Sequence, residues 1–365
     1  MAVQTRPAPR RRWFTTAAVA ALVLVSATGC FTNKWGIRES YRGYITGGIA
    51  QGEITTREGA TWLDGPGSGK GPFNYRTLDA VFDPSTTTGS VRLTGGVHTT
   101  GHPHLDGYLL DVAFWNPRLE IDGTTGTLYV DLEYRPFTSF SPAELPKLVA
   151  APNTAFATVD LSAVDWTPSS SGTYTIVNAP TTGITAAMQM IGFDQFYGDP
   201  VILDPFSVAF NPTTTPPTLA AAPRIVVSRT AGVDAGDQLT IWGEGFDPEA
   251  NIGTRPPLAG QLSGVYVTLG RFADVWQPSA GAPSTARPVT AQRWALPQSS
   301  LSILDPAGTN PAFARIGADG RFTTTITLAA AAAPTGNYGI YVYAGGGSVN
   351  ASHELSQAIT LDPAI

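Results

Sequence analysis

Turn-forming residues are spread through the whole chain, and nothing else in the sequence limits its fold so strongly. Among 365 residues, 39 are Gly and 30 are Pro. The stretches between them are short and rich in Thr, Val, Ile and aromatic residues. A helix interior tolerates Gly poorly and Pro hardly at all, so long helices are excluded. Many short strands joined by tight turns remain. Charged residues make up 14% of the chain, against about 25% in an average domain, which excludes a coiled coil or a charged tail. The net charge is −6. No basic patch follows the first dozen residues, so nucleic acid is not an expected partner. The predicted fold class is all-β.

The N-terminus reads as an export signal. Arg6, Arg10, Arg11 and Arg12 form a basic region without an acid, and an apolar run over residues 17–25 follows. That run is too short for a bilayer, which needs about 20 residues, and suits the core of a signal peptide. The sequence Ser26-Ala27-Thr28-Gly29-Cys30 resembles a bacterial lipobox, whose cysteine is acylated and becomes the mature N-terminus. Arg11-Arg12-Trp13-Phe14 resembles a twin-arginine signal; the general secretory route, an uncleaved anchor and an ordinary cleaved signal stay open. Cys30 is the single cysteine, so no intramolecular disulfide forms. Loss of residues 1–29 removes four of the 22 basic residues and no acid, leaving 18 against 28 and a charge of −10. The expectation is an exported protein held on the extracytoplasmic face of the cell membrane by a lipid on Cys30.

The Pro/Thr-rich stretch Asn211-Pro212-Thr213-Thr214-Thr215-Pro216-Pro217-Thr218 favours extended chain. It divides the protein into a signal (1–29), a first domain (30–210), a linker (211–222) and a second domain (223–365), and it predicts halves that fold apart. In the first domain, period-two segments occur at 73–82, 90–99, 108–121, 128–134, 156–161, 174–177 and 206–210. Ile184, Ala187, Met188 and Ile191 recur at helical spacing. A shorter helix is expected after Ser141-Pro142, with Ser as N-cap and Pro at the first helical position. In the second domain, strands are expected at 225–227, 239–242, 264–269, 301–304, 322–328, 338–343 and 358–361. Seven short strands in about 140 residues match an immunoglobulin-like sandwich.

Few local motifs carry chemistry. Residues 65–71 are glycine-rich, but the spacing is one residue short of a phosphate loop, and Gly71 stands where Ser or Thr must hold magnesium. Three of the four histidines, His98, His102 and His104, lie within seven residues, with Asp106 just beyond. Their common parity would put them on one strand face, although Gly101 and Pro103 interrupt it. A zinc or copper site, another ligand role and a solvated turn all remain open. The segment from Trp35 to Tyr44 is dense in aromatics and arginine, which by itself reads as packing with arginines at the rim.

The order of several motifs resolves this choice. Trp35-Gly36, Ser40-Tyr41-Arg42-Gly43-Tyr44-Ile45 and Gly48-Ile49-Ala50-Gln51-Gly52 resemble the opening of the HtaA-type haem-binding domain of actinobacterial surface proteins. Tyr41 stands where Phe is usual. Gly96-Val97-His98-Thr99-Thr100-Gly101-His102 resembles the family's glycine–histidine strand, with Thr where an aromatic is common. Asn116-Pro117-Arg118-Leu119, Gly126-Thr127-Leu128, Phe193-Asp194-Gln195-Phe196-Tyr197 and Leu203-Asp204-Pro205 resemble the later segments. The likeness spans residues 34–210. It implies a β-sandwich with one or two short helices, followed by an immunoglobulin-like module. It also implies binding of ferric haem rather than an enzyme activity, with Tyr44 as iron ligand. His102, or else His98, would hydrogen-bond that oxygen. Trp35, Tyr41 and Tyr197 would supply stacking area, and Arg42 or Arg38 would meet a propionate. The implied role is haem and iron acquisition between a haem donor and a membrane haem importer. A structural or adhesive surface module without a ligand is the alternative, and a hydrolase built on the three histidines would need a further ligand and a base.

Overall fold

The computed structural model describes residues 33–65, 70–213, 222–329 and 336–362. The export signal, Cys30, most of the glycine-rich loop and most of the linker lie outside the described residues. The first half contains β1 (Lys34–Trp35), β2 (Glu53–Arg57), β3 (Thr61–Trp62), β4 (Phe73–Asn74), β5 (Arg76–Asp83) and β6 (Thr88–Thr94). Then follow β7 (Gly96–His104), β8 (Gly107–Asp122), β9 (Thr125–Tyr134), β10 (Val149–Asp160), β11 (Tyr174–Gly183) and β12 (Ile202–Phe210). Short helices accompany them: α1 (Glu39–Ile45), α2 (Thr185–Met190) and α3 (Phe193–Tyr197). The all-β class and the helix over Ile184–Ile191 stand as read from the sequence.

All twelve strands hydrogen-bond into one sheet, in the order β2-β7-β8-β9-β10-β11-β12-β1-β4-β3, with β6 joining β8 and β5 joining β6. The 16-residue strand β8 is the hinge of this arrangement. Its first part pairs with β7 and its second part with β6. The change occurs at Asn116-Pro117, where Asn116 adopts φ +49° and the register with β9 shifts. A left-handed residue followed by one without an N–H is a natural place for a ladder to break. Alternation then sends Leu119 and Ile121 inward and leaves Glu120 and Asp122 outside. One core, including Trp35, Phe114, Phe156 and Phe206, fills the enclosed space.

The second half is a two-layer arrangement. Strands β13 (Arg224–Val227), β14 (Gln238–Glu244) and β18 (Phe322–Thr327) form one sheet. Strands β15 (Val265–Phe272), β16 (Val289–Pro297), β17 (Phe313–Ile316), β19 (Asn337–Ala344) and β20 (Leu355–Ala358) form the other. Leu239, Ile241 and Phe322 from the first meet Val265, Val267 and Ile340 from the second in a common core.

The strand expected at 358–361 lies three residues earlier, at Leu355–Ala358, and two local expectations fail outright. Residues 301–304 belong to a helix, α4 (Gln298–Leu304), not a strand; three apolar residues in a stretch of four cannot distinguish the two by periodicity. No helix follows Ser141-Pro142. Pro142 and Pro146 withhold backbone donors there, and the segment instead buries Leu145 and Leu148 and lends the Pro146 carbonyl to Arg135.

The halves meet along a built seam. Leu148 of the first half enters the second core, and its N–H donates to Asp237 Oδ1 at 2.9 Å. Trp115 and Trp242 pack at 5.1 Å between ring centroids. Trp242 Nε1 donates to Asp131 Oδ2 at 2.6 Å. Arg229, from the second half, is buried against two carboxylates of the first, Asp111 and Glu133. The Pro/Thr stretch predicts independent halves; this seam ties them together.

Candidate functional site

Helix α1 positions the site. Its first turn is anchored from a distance: the Glu39 N–H donates to Asp204 Oδ1 at 2.8 Å, and Arg42 pairs with Asp204 Oδ2 at 2.5 Å. Arg42 also donates to the carbonyls of Gly36 and Lys70. A Cβ at Gly36 would collide with both the Arg42 guanidinium and the Asp204 carboxylate, so the glycine after Trp35 is needed for this close approach. Tyr41 and Tyr44, three residues apart, lie on a common helix face.

Tyr44 is half-buried, and its Oη hydrogen-bonds Nε2 of His102. Burial pushes the Tyr44 phenol above its ordinary pKa, so the phenol is protonated at neutral pH. His102 reaches it because its backbone is left-handed, φ +55°, with its N–H donating to the Ala50 carbonyl at 2.6 Å. This turn breaks the strand parity. His98 points to Asp111 Oδ1, at 2.8 Å, and His104 lies beside Asp106. The three histidines therefore do not converge, and among the described residues no group of three His, Cys, Asp or Glu side chains forms a metal site.

Tyr44 and His102 border a cavity of about 590 Å³. Tyr41, Phe193 and Tyr197 line one side; Phe140 and Phe196 form an exposed apolar rim with Ile49. Tyr41 is fully buried, and its hydroxyl is paired with Thr99 Oγ1 at 2.6 Å. Burial raises its pKa far more than that hydrogen bond lowers it. It presents its ring to the cavity, not its oxygen to a metal. Tyr197 packs on Phe193 at 5.2 Å and lies under the Arg38 guanidinium at 4.6 Å.

Three sequence-chosen residues fall elsewhere. Trp35 is buried in the core, edge-on to Phe114 and Phe156, and does not line the cavity. Arg42 is buried in its Asp204 pair, holds α1 and does not line the cavity. His98 serves the seam. Burial lowers its pKa and the Arg229 charge adds to this, against the Asp111 hydrogen bond, so it is neutral at pH 7. The rim aromatics and Arg135, which lines the cavity, were missed. Phe196 lies within a quoted motif, and Arg135 directly follows the alternating strand β9.

Residues 31–209 match the family model described as Htaa, HtaA. Among solved structures, the chain is similar to the N-terminal domain of HtaA from Corynebacterium glutamicum, with 28% identity over 50% of this chain and 97% of that one, at a TM-score of 0.42. It is also similar to Heme binding protein HtaB from the same organism, with 26% identity over 49% of this chain and 90% of that one, at a TM-score of 0.38. No curated protein matches the chain.

Proposed function

We propose, from the premise that residues 31–209 are an HtaA domain, that the cavity beside Tyr44 binds ferric haem. Tyr44 Oη would be the iron ligand and His102 its hydrogen-bond partner. The observation that carries this reading is a half-buried phenol paired with an imidazole at the wall of an aromatic-lined cavity. A volume of about 590 Å³ falls within the range of about 300–1,000 Å³ found for small-molecule sites. The donor chemistry fits the group, because tyrosine is an established axial ligand of haem iron. When bound, ferric haem supplies the positive charge that favours a phenolate over a phenol.

The chain's own groups handle the proton. In the absence of ligand, the Tyr44 hydroxyl and His102 Nε2 share a hydrogen bond. Loss of the phenol proton is eased by the same nitrogen, which is placed to accept it and then, as N–H, to donate back to the phenolate. Tyr197 and Phe193 offer ring faces, and the exposed Phe140–Phe196 rim extends the apolar contact outward.

The broader role we propose is that of an exported lipoprotein, tethered through Cys30, that takes haem from a donor outside the membrane and passes it toward a haem importer. Residues 211–222 would link this domain to an immunoglobulin-like module at 223–365. The open apolar cavity beside Tyr44 counts against a purely structural or adhesive module.

Titration of the purified mature protein with haemin tests the reading. A ferric tyrosinate band set is expected, and Tyr44→Phe should abolish it while leaving the fold intact. An unchanged haemin spectrum with the wild-type protein would refute the proposal.

A further inference from the structure

Haem carries two carboxylates, and a cation at the wall of an apolar cavity is suited to meet one of them. Arg42 is sealed against Asp204. Arg38 lies over the Tyr197 ring and donates to Ser40 Oγ and the Ile202 carbonyl, without lining the cavity itself. Among the described residues, Arg135 is the one Arg or Lys that lines the cavity itself. It is 7% exposed, yet its guanidinium is only partly used. Nη1 donates to the Pro146 carbonyl. Nη2 forms an ion pair with Asp111 Oδ2 at 3.8 Å, too long for a hydrogen bond. Nε is buried without a hydrogen-bond partner.

The reason lies across the strand pair. Val112 pairs with Tyr134, so Asp111 and Arg135 are neighbours, and the Arg135 N–H donates to the Asp111 carbonyl at 2.8 Å. An Arg and an Asp so placed would ordinarily close a bidentate pair. Here both Asp111 oxygens are occupied. Arg229 Nη1 and Nη2 bind them at 2.9 and 2.6 Å, and His98 Nε2 approaches Oδ1 at 2.8 Å. Arg229 comes from the second half of the chain, where its Nε and the Ser228 hydroxyl also hold Glu133.

We infer that Arg135 is the carboxylate-binding group of the cavity, and that Arg229 is the positioning residue that, by saturating Asp111, keeps Arg135 from closing a hydrogen-bonded pair with it. The inference rests on the haem reading and deepens it: the ligand is a porphyrin recognised through a carboxylate as well as through its iron. The second half thereby tunes the site without touching the ligand.

The test compares haemin with its dimethyl ester on the full mature chain, in one buffer with a fixed fraction of dimethyl sulfoxide. The wild type should bind the diacid about 10–100-fold more tightly, the size of one charge-assisted hydrogen bond. Arg135→Gln should erase this preference by weakening the diacid and not the ester; Arg135→Lys should keep part of it. Arg229→Gln should also erase the preference, as Arg135 falls onto Asp111, and adding Asp111→Asn should restore it. Circular dichroism and thermal unfolding report whether each variant is folded. If the Arg229 variants do not fold, the wild-type and Arg135 comparisons decide. Equal binding of diacid and ester by the wild type, or an undiminished preference in folded Arg135→Gln, would overturn the inference. A folded Arg229→Gln that keeps the preference would remove the positioning role. Binding of neither porphyrin by the wild type would sink the haem reading itself.

Discussion

The cavity beside Tyr44 and the seam around Arg229 share strands β8 and β9, yet they treat polar groups in opposite ways. In the seam, Arg229, Asp111, Glu133, Ser228 and His98 satisfy one another in a buried network. Nothing there is left to bind a ligand. In the cavity, aromatic rings surround one phenol–imidazole pair and one under-used guanidinium. A saturated polar cluster specifies structure, whereas a sparse one in an apolar setting is available for recognition. The comparison also shows why charge alone is a poor guide to a site: the buried cluster of ionisable groups around Arg229 is structural.

Removal of Arg229 should have the largest effect. Arg229→Ala leaves Asp111 and Glu133 buried with one cation missing, and breaking such a pair typically costs about 3–5 kcal/mol. Denaturant unfolding of the full chain measures it, with Tyr44→Phe as the reference from the cavity, expected to change stability by less than about 1 kcal/mol. A similar small cost for both would erase the distinction between the two regions. The same reasoning predicts that residues 31–215 alone are less stable than the full chain, because Asp111 and Glu133 lose Arg229.

His102→Ala ranks next, and on affinity instead of stability. Deleting the partner of a metal-bound oxygen typically costs about 10–100-fold. Haemin titration should find weaker binding with the tyrosinate bands retained but shifted. His98→Ala should leave the haem spectrum as it is. The reverse pattern would assign the supporting histidine to the seam.

Acid should act on the seam first. Burial and the Arg229 charge lower the His98 pKa. The unfolded chain therefore takes up a proton, below about pH 6.5, that the folded chain refuses. For Asp111, burial alone favours the neutral acid, but Arg229 and the His98 hydrogen bond overcome it and hold the carboxyl well below the usual range. Its contribution is complete above about pH 3.9, the unfolded value, and is lost as pH falls toward the folded one. Both groups have depressed folded values, so both make stability fall on acidification, by about 1.4 kcal/mol for each unit of separation. Unfolding midpoints measured from pH 7 to 3 should decline, and the limb below pH 4 should flatten in Arg229→Ala. A midpoint that rises on acidification would contradict the assignment.

Much of the fold was legible because alternation and turn residues are local signals. Strand β8 was anticipated almost whole, and α2 followed from the spacing of its apolar residues. Helix α1 was not read from periodicity, since seven residues with a central glycine carry little helical signal and the anchor, Asp204, lies 165 residues from Glu39. The parity argument for the histidines failed at one dihedral angle, the left-handed φ of His102. Trp35 and Arg42 look like site residues from their neighbours in sequence, but three-dimensional packing puts one in the core and the other under α1. Arg135 was invisible for the opposite reason. Its role depends on a competitor, Arg229, that lies 94 residues away and across the seam.

The smallest expected effect separates two tyrosines on one helix face. Tyr41 and Tyr44 differ in what meets their hydroxyls: Thr99 in the core for one, His102 at the cavity for the other. Tyr41→Phe removes a buried neutral hydrogen bond, and Thr99 Oγ1 keeps its bond to the Val112 carbonyl at 2.9 Å. The cost should be about 1 kcal/mol in stability, with the ring still lining the cavity and the haemin spectrum unaltered. Tyr44→Phe should do the converse, sparing stability and removing the bands. Thermal unfolding and haemin titration of the two variants side by side give a two-by-two outcome. If Tyr41→Phe also removed the bands, the helix face, not the imidazole-paired oxygen, would be what the ligand reads, and the contrast between an occupied core hydroxyl and an available cavity hydroxyl would lose its meaning.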